Sequence, residues 1–360
     1  LQLNWKYSKD TVIWAISIAL SISALVLAGG YLRNLYEKYY APNVPRRLSN
    51  PFVLIPTNTS FPQFVDILVR DSILLDRNTF EIAALAERVQ QGEKFVRAGR
   101  FKVEPRMSNH ALLQLFTEGK QSPVRVVINN KNTKEELAGY LARFIEADST
   151  RLLQAMNDTS LLNKLNLSPQ NFLTLIIPNT YEFFWNTTPK QFIERMSRES
   201  HKFWTPQRLR QCNMLALTPS QVVILASIVE KETLQNEEKS RIAGVYINRL
   251  KKFVTLDANP TLHFILPDTV KELTSEHKHL RSPYNTYYYK GLPPGPICMP
   301  SITTLDFTLQ AERHPYLFFC ARPDTTGFHI FETNFKDHKK NVVNYRRFKQ
   351  AQERLTLERS

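Results

Sequence analysis

The sequence predicts an α+β chain led by a membrane-spanning helix, on three observations. Residues 11–32 carry no charged side chain. Residues 189–250 alternate apolar and polar positions at helical spacing. Beyond residue 316, apolar runs bounded by a Pro-Asp-Thr-Thr-Gly turn read as paired strands. Helices first and strands after is the α+β arrangement, and 360 residues suffice for two or three domains.

At about 1.5 Å per residue, the 11–32 stretch crosses a hydrocarbon core of about 30 Å. Trp14 and Tyr31 stand near its ends, where interfacial aromatics belong. The run is longer than the apolar core of a signal peptide, so residues 1–32 read as an uncleaved anchor. No Cys follows it to take a lipid. Lys6 and Lys9 precede the span, and Arg33, Lys38, Arg46 and Arg47 follow it, so flanking charge does not set the orientation. Residues 33–51 are polar, contain Pro42, Pro45 and Pro51, and read as a linker.

Residues 52–122 form a small mixed unit. Phe52–Ile55 is strand-like, Ser60–Leu74 and Arg77–Gln90 are helix-like, Phe101–Val103 is a second strand, and Ser108 caps a helix bearing Leu112, Leu113 and Leu115. Residues 123–175 read as a connecting subdomain: a strand from Val124 to Ile128, the Asn-rich turn Asn129–Asn132, a helix from Thr133 to Phe144, then polar helix.

The run from Thr218 is the most informative. Thr218 reads as an N-cap, Pro219 as the first helical residue and Gln221 as the capping-box partner. Val222, Leu225, Ala226 and Val229 form an apolar stripe with Ile224 and Ile228 beside it, so the helix is buried on most of its circumference. Glu230 sits in this run, on the face of Val223, Ala226, Ser227 and Thr233. A carboxylate held there loses hydration, and its raised pKa suits a general acid. The competing reading is a structural carboxylate paired with a buried arginine such as Arg249. Glu232, two positions on, points about 200° away, so the two do not form a facing pair. Glu237 and Glu238 fall in the first turn of the next helix, where acids complement the dipole.

Several segments in order carry a resemblance: Ile177-Pro-Asn-Thr-Tyr-Glu-Phe183, Leu225-Ala-Ser-Ile-Val-Glu-Lys-Glu-Thr233, Ile242-Ala-Gly-Val-Tyr-Ile-Asn-Arg-Leu250, Leu256-Asp-Ala-Asn-Pro-Thr261, Pro283-Tyr-Asn-Thr-Tyr287, Gly291-Leu-Pro-Pro-Gly-Pro-Ile297 and Phe328-His-Ile-Phe-Glu-Thr-Asn334 with His338. Together they resemble the endolytic murein transglycosylases, the MltG/YceG-like family of bacterial cell-wall enzymes. The resemblance is clear over about 175–345 and weaker over about 52–175. It implies a LysM-like module at 52–122, a YceG-like α+β catalytic domain at 176–345 and a C-terminal tail at 346–360. The chain departs from the family at Asn129–Asn132, where relatives carry a Pro-Glu-Gly turn, and at Asn259, where they commonly carry an acid.

The implied activity is lytic transglycosylase cleavage of the MurNAc–GlcNAc β-1,4 bond of nascent peptidoglycan strands, leaving 1,6-anhydro-MurNAc ends. One carboxylate suffices as acid and then base, and the resemblance assigns that role to Glu230. Asn248, Arg249, Tyr284, Asn285, Thr286 and Tyr287 are the substrate-binding candidates; Asn248 and Arg249 have the alternative of pairing Glu232 or orienting Glu230. A muramidase would need a positioned water or a second carboxylate; none lies on the Glu230 face, and Asp257, Asp268 and Glu332 are the candidates elsewhere. The implied location is the bacterial inner membrane, single-pass, with the catalytic domain on the periplasmic or extracytoplasmic side, and peptidoglycan synthases are implied partners.

Net charge is +14, the sign for nucleic acid, but no nucleic-acid motif is present and the anchor argues against that partner. A basic surface also suits the carboxylates of peptidoglycan stems. No cofactor or metal is expected: Cys212, Cys298 and Cys320 lack ligand spacing and read as buried free thiols, and Glu276–His279 reads as a solvated loop.

Overall fold

The computed structural model describes residues 9–89, 95–270 and 272–357. Residues 1–8 of the expected anchor, Gln90 at the end of an expected helix and residues 358–360 of the expected tail lie outside them. Contacts divide the chain into two units: residues up to 124 with 184–186, and residues 125–183 with 187 onward.

The first unit begins with helix α1 (Lys9–Tyr40). Among the described residues, it alone is long and apolar enough to cross a membrane. The helix does not stop at the expected linker. It runs eight residues past Leu32, carried by an Arg33–Glu37 pair one turn apart (3.0 Å), and then packs. Asn43 and Val44, also placed in the linker, are buried, and the Asn43 backbone N–H donates to Met107 (2.9 Å). Next come strand β1 (Phe52–Ile55), helices α2 (Phe61–Arg70) and α3 (Arg77–Ala86), strand β2 (Gly99–Lys102) and helix α4 (Asn109–Thr117). β1 and β2 pair antiparallel, with Val53 opposite Phe101. Both residues are buried with Phe64, Phe80, Leu112 and Phe116 in one core. Ser108 caps α4 as its sequence implies, accepting from the Ala111 N–H.

The second unit opens with strand β3 (Val124–Ile128), helices α5 (Lys134–Leu141), α6 (Ser149–Asn157) and α7 (Thr159–Asn163), and strand β4 (Asn179–Phe183), which pairs with β3. This segment belongs to the same unit as the residues beyond 187: the Met299 N–H donates to the Lys131 carbonyl (2.8 Å). Helices α8 (Pro189–Phe203), α9 (Pro206–Leu215), α10 (Pro219–Glu232) and α11 (Asn236–Lys251) come next, then α12 (Asn259–Ile265) and α13 (Ile302–Leu309). Both α12 and α13 fall where the sequence suggests loops with strand-like pieces. Each starts from a sequence signal, Pro260 in the first turn of α12 and the cap Ser301 on α13. Strands β5 (Phe318–Ala321) and β6 (His329–Glu332) pair antiparallel across the expected turn, and both are half-buried. The segment set apart as a C-terminal tail continues a helix, α14 (Phe335–Leu357), which packs on both strands.

Helix α10 is the spine of this unit. The Thr218–Gln221 capping box forms in both directions, at 2.8 and 3.2 Å. Residues 222–229 are all buried, packed against α11, α12 and α13. Gly244 lets α11 approach closely: a Cβ there would sit 2.3 Å from the Glu312 carbonyl oxygen.

Candidate active site

The two carboxylates near the C-terminal end of α10 enter different surroundings. Glu230 is held in a polar knot. Its Oε2 accepts from Lys239 Nζ (3.4 Å), from Ser301 Oγ (3.1 Å) and from the Thr304 hydroxyl. Lys239 also donates to Thr304 Oγ1 (2.8 Å), and its side chain is only 7% exposed. The knot joins α10, α11 and α13. The sequence-based expectation of a Glu230 carboxyl set among apolar residues considered α10 alone; α11 and α13 bring the cation and two hydroxyls. The pairing partner is Lys239, not Arg249.

Glu232 is the carboxyl that loses its hydration. It lies half-buried at the wall of a cleft of about 660 Å³, lined also by Asn132, Glu136, Asn259, His263 and Asp268. Burial pushes its pKa up from 4.5 to about 7, while a hydrogen bond donated by the Tyr246 hydroxyl (2.5 Å) pulls the other way. Burial, and after it the same carboxyl, raises the pKa of Tyr246, so the phenol keeps its proton.

The expected substrate residues divide. Tyr287 lies behind the cleft lining, bonded to one of its residues: its hydroxyl donates to Asn259 Oδ1 (2.6 Å), and burial, with Asp257 and Glu232 nearby, raises its pKa. Tyr284 is half-buried and packs on Phe264, a cleft residue, at 4.9 Å between rings. Asn285 and Thr286 are buried and shape the loop. Asn285 Nδ2 donates to the carbonyls of Lys278 (3.0 Å) and Leu280 (2.8 Å), while Thr286 Oγ1 accepts from the Ala258 N–H (3.1 Å) and bonds Thr261 Oγ1 (2.9 Å). Asn248 donates to the carbonyls of His314 (2.7 Å) and Tyr316 (3.0 Å), outside the cleft lining. Arg249 donates to the carbonyls of Leu317, Thr255 and Leu256 and pairs with Asp257 (2.7 Å). Arg249 thus bonds neither acid of α10. Of the second-carboxylate candidates, Asp257 is taken by Arg249, Glu332 accepts from Asn341 (2.9 Å), and Asp268 lines the cleft.

Two residues missed in the sequence matter here. Tyr246 gives no signal, because an aromatic on a buried helix reads as core. Asn259 stands out in the sequence only as a departure from the commoner acid, yet it is the acceptor that positions Tyr287. Ser227 ties α10 to the loop beneath the cleft, accepting from the Ile297 N–H (3.0 Å). In that loop Gly295 passes so close to Gln170 that a Cβ would lie 2.0 Å from its carbonyl oxygen. Cys298 is buried beside Ser227, Cys212 is buried and Cys320 half-buried, all as free thiols.

The sequence model described as the YceG-like family matches residues 53–344. The chain belongs to the YceG-like family. It is 21% identical over 307 residues to the endolytic murein transglycosylase of Bacillus subtilis, an alignment covering 81% of this chain and 83% of that protein. An endolytic murein transglycosylase of Streptococcus pneumoniae is 29% identical over 177 residues, covering 47% of this chain and 31% of the relative. A crystal structure of a YceG-like protein from Listeria monocytogenes shares the fold, with a TM-score of 0.53 and 24% identity over 80% of this chain and 97% of that one.

Proposed function

We propose that this chain is a membrane-anchored endolytic peptidoglycan lytic transglycosylase and that Glu232, in place of Glu230, is its single general acid and base. One observation carries the assignment: Glu232 is the α10 carboxyl that combines a cleft position with a pKa of about 7. An acid protonated near neutral pH can give its proton to the glycosidic oxygen and, as carboxylate, take one back. The muramyl 6-hydroxyl then supplies that second proton as it closes on the anomeric carbon, cutting the MurNAc–GlcNAc β-1,4 bond and leaving a 1,6-anhydro-MurNAc end. Water is not consumed. Tyr246 orients the carboxyl and favours its ionised state, and Tyr287 and Tyr284 back the cleft residues Asn259 and Phe264 against which sugar rings would lie.

The relatives' names support the substrate and the reaction class. The apolar helix α1 supports anchoring in a bacterial cytoplasmic membrane, with both units on the extracytoplasmic side where the polymer lies. The βααβ portion of the first unit fits a LysM-like module in contact with glycan. Peptidoglycan synthases at the membrane are the fitting partners for an enzyme acting on nascent strands.

Asp268 in the same cleft favours a second reading, a muramidase that activates water with this second carboxylate. Mass analysis of digested glycan strands decides. Products lighter by one water than reducing-end saccharides support the transglycosylase; reducing ends support the muramidase.

A further inference from the structure

We infer that the first unit carries a phospholipid-binding groove that beds it into the headgroup layer of the membrane crossed by α1. This rests on the membrane-anchor reading above. The groove, about 290 Å³, is walled by Leu35, Tyr36, Tyr39 and Tyr40 of α1 and by Ile82 and Ala86 of α3. It is almost wholly apolar, and Ile82 and Tyr36 stand 41% and 64% exposed at its rim. Leu85, beside them on α3, is 51% exposed.

Position decides what covers it. The uncharged stretch ends at Leu32, and α1 continues without a break to Tyr40. At about 1.5 Å per residue, Leu35 and Tyr36 lie about 5–6 Å past the hydrocarbon edge and Tyr40 about 12 Å past it. The headgroup layer is about 5–8 Å thick on each side. The Leu35–Tyr36 end of the groove therefore opens at headgroup depth, where tyrosines with an apolar ring and a wet hydroxyl are enriched, and the Tyr40 end lies just beyond it.

The placement is fixed, because the end of α1 is pinned to the unit. The Lys38 carbonyl accepts from Asn109 Nδ2 (2.8 Å), and the Tyr39 hydroxyl bonds Glu87 and His110 Nδ1 (2.9 Å). α3 cannot swing away from the bilayer surface without breaking these bonds. The occupant is a phospholipid of the leaflet from which α1 emerges, its glycerol and first methylenes between Tyr36 and Ile82.

The test uses the full chain with Cys320 replaced by Ser, reconstituted in phosphatidylethanolamine–phosphatidylglycerol vesicles. An environment-sensitive fluorophore is placed in turn at Leu20→Cys and Ile82→Cys, with nitroxide quenchers on the acyl chain or the headgroup. Acyl-chain nitroxide quenches Leu20, and headgroup nitroxide lowers Ile82 emission by about two-fold or more, as for a face buried about 5–10 Å. An unquenched Leu20 label defeats the anchor reading itself. A quenched Leu20 with a water-like, unquenched Ile82 overturns the inference and leaves the anchor standing. A water-excluded but unquenched Ile82 assigns the groove to contact with a second copy of the chain and also overturns the inference. Paired Ile82→Asp and Leu85→Asp substitutions, at exposed positions, should abolish quenching of a label at Ala86→Cys and leave cleavage of soluble strands unchanged. Persistent quenching there would count against the groove.

Discussion

The surroundings of Glu230 and Glu232 differ more than two residues on one helix would suggest. Around Glu230 three donors converge on one oxygen, one of them the ammonium of a nearly buried lysine. Around Glu232 there is one donor, a phenol, and an open cleft. The acid role proposed for Glu232 rests on this contrast: Glu230 is hydrogen-bonded by three side chains, whereas Glu232 faces the cleft with a single side-chain donor. The difference teaches that burial along a helix says less about an acid than what the neighbouring helices bring to it.

The largest expected effect comes from Glu232→Gln, which keeps shape and removes the exchangeable proton. Cleavage should fall by about 10²–10⁴-fold or more, measured on purified strands. Retention of most activity would return the acid role to Glu230. Next in size is Glu230→Gln. It leaves the nearly buried Lys239 without its counter-ion, and should cost about 2–3 kcal/mol of stability by denaturant unfolding. A Glu230→Gln protein as stable as wild type, yet inactive, would reverse the comparison.

The pH dependence of stability sharpens it further. Glu232 holds its proton up to about pH 7 in the fold, against 4.5 unfolded. Between those values the folded state binds the extra proton, so this contribution is full below about 4.5, falls as pH rises and is gone above about 7. The unfolding midpoint should decline across that window in wild type, and Glu232→Gln should remove that part of the decline. The smallest effect is expected of Tyr246→Phe. It deletes the bond that favours the carboxylate, so the alkaline limb of kcat/KM should move upward from near pH 7, with a several-fold change in rate. An unmoved limb would show that another group sets it.

Local chemistry made much of the fold readable. The Thr218–Pro219–Gln221 signature and the apolar stripe place α10, and Ser108 places α4, because caps and periodicity are properties of adjacent residues. Helices α12 and α14 were harder to read, the first short and the second largely polar, so neither shows the strong stripe of α10. The extension of α1 into the expected linker depends on contacts of Tyr39 and Asn43 with residues about 35–70 positions away in sequence. The site was half-legible. The Glu-Lys-Glu stretch and the Pro-Tyr-Asn-Thr-Tyr loop point to the candidate site in the sequence, but weighing one acid against the other needs tertiary partners. One clue was available: Glu230 and Lys239 flank the Thr233–Gln235 turn almost symmetrically, as facing residues of a helical hairpin do. Nothing comparable links Glu232 to Tyr246.

The proton on Glu232 also makes the cleft a receptor whose charge is set by the medium. Below about pH 7 its wall presents a neutral acid, and above it an anion. A cationic sugar analogue should therefore bind more tightly as pH rises through that value. By reciprocity its binding expels the proton, and the heat of association will vary with the ionisation enthalpy of the buffer.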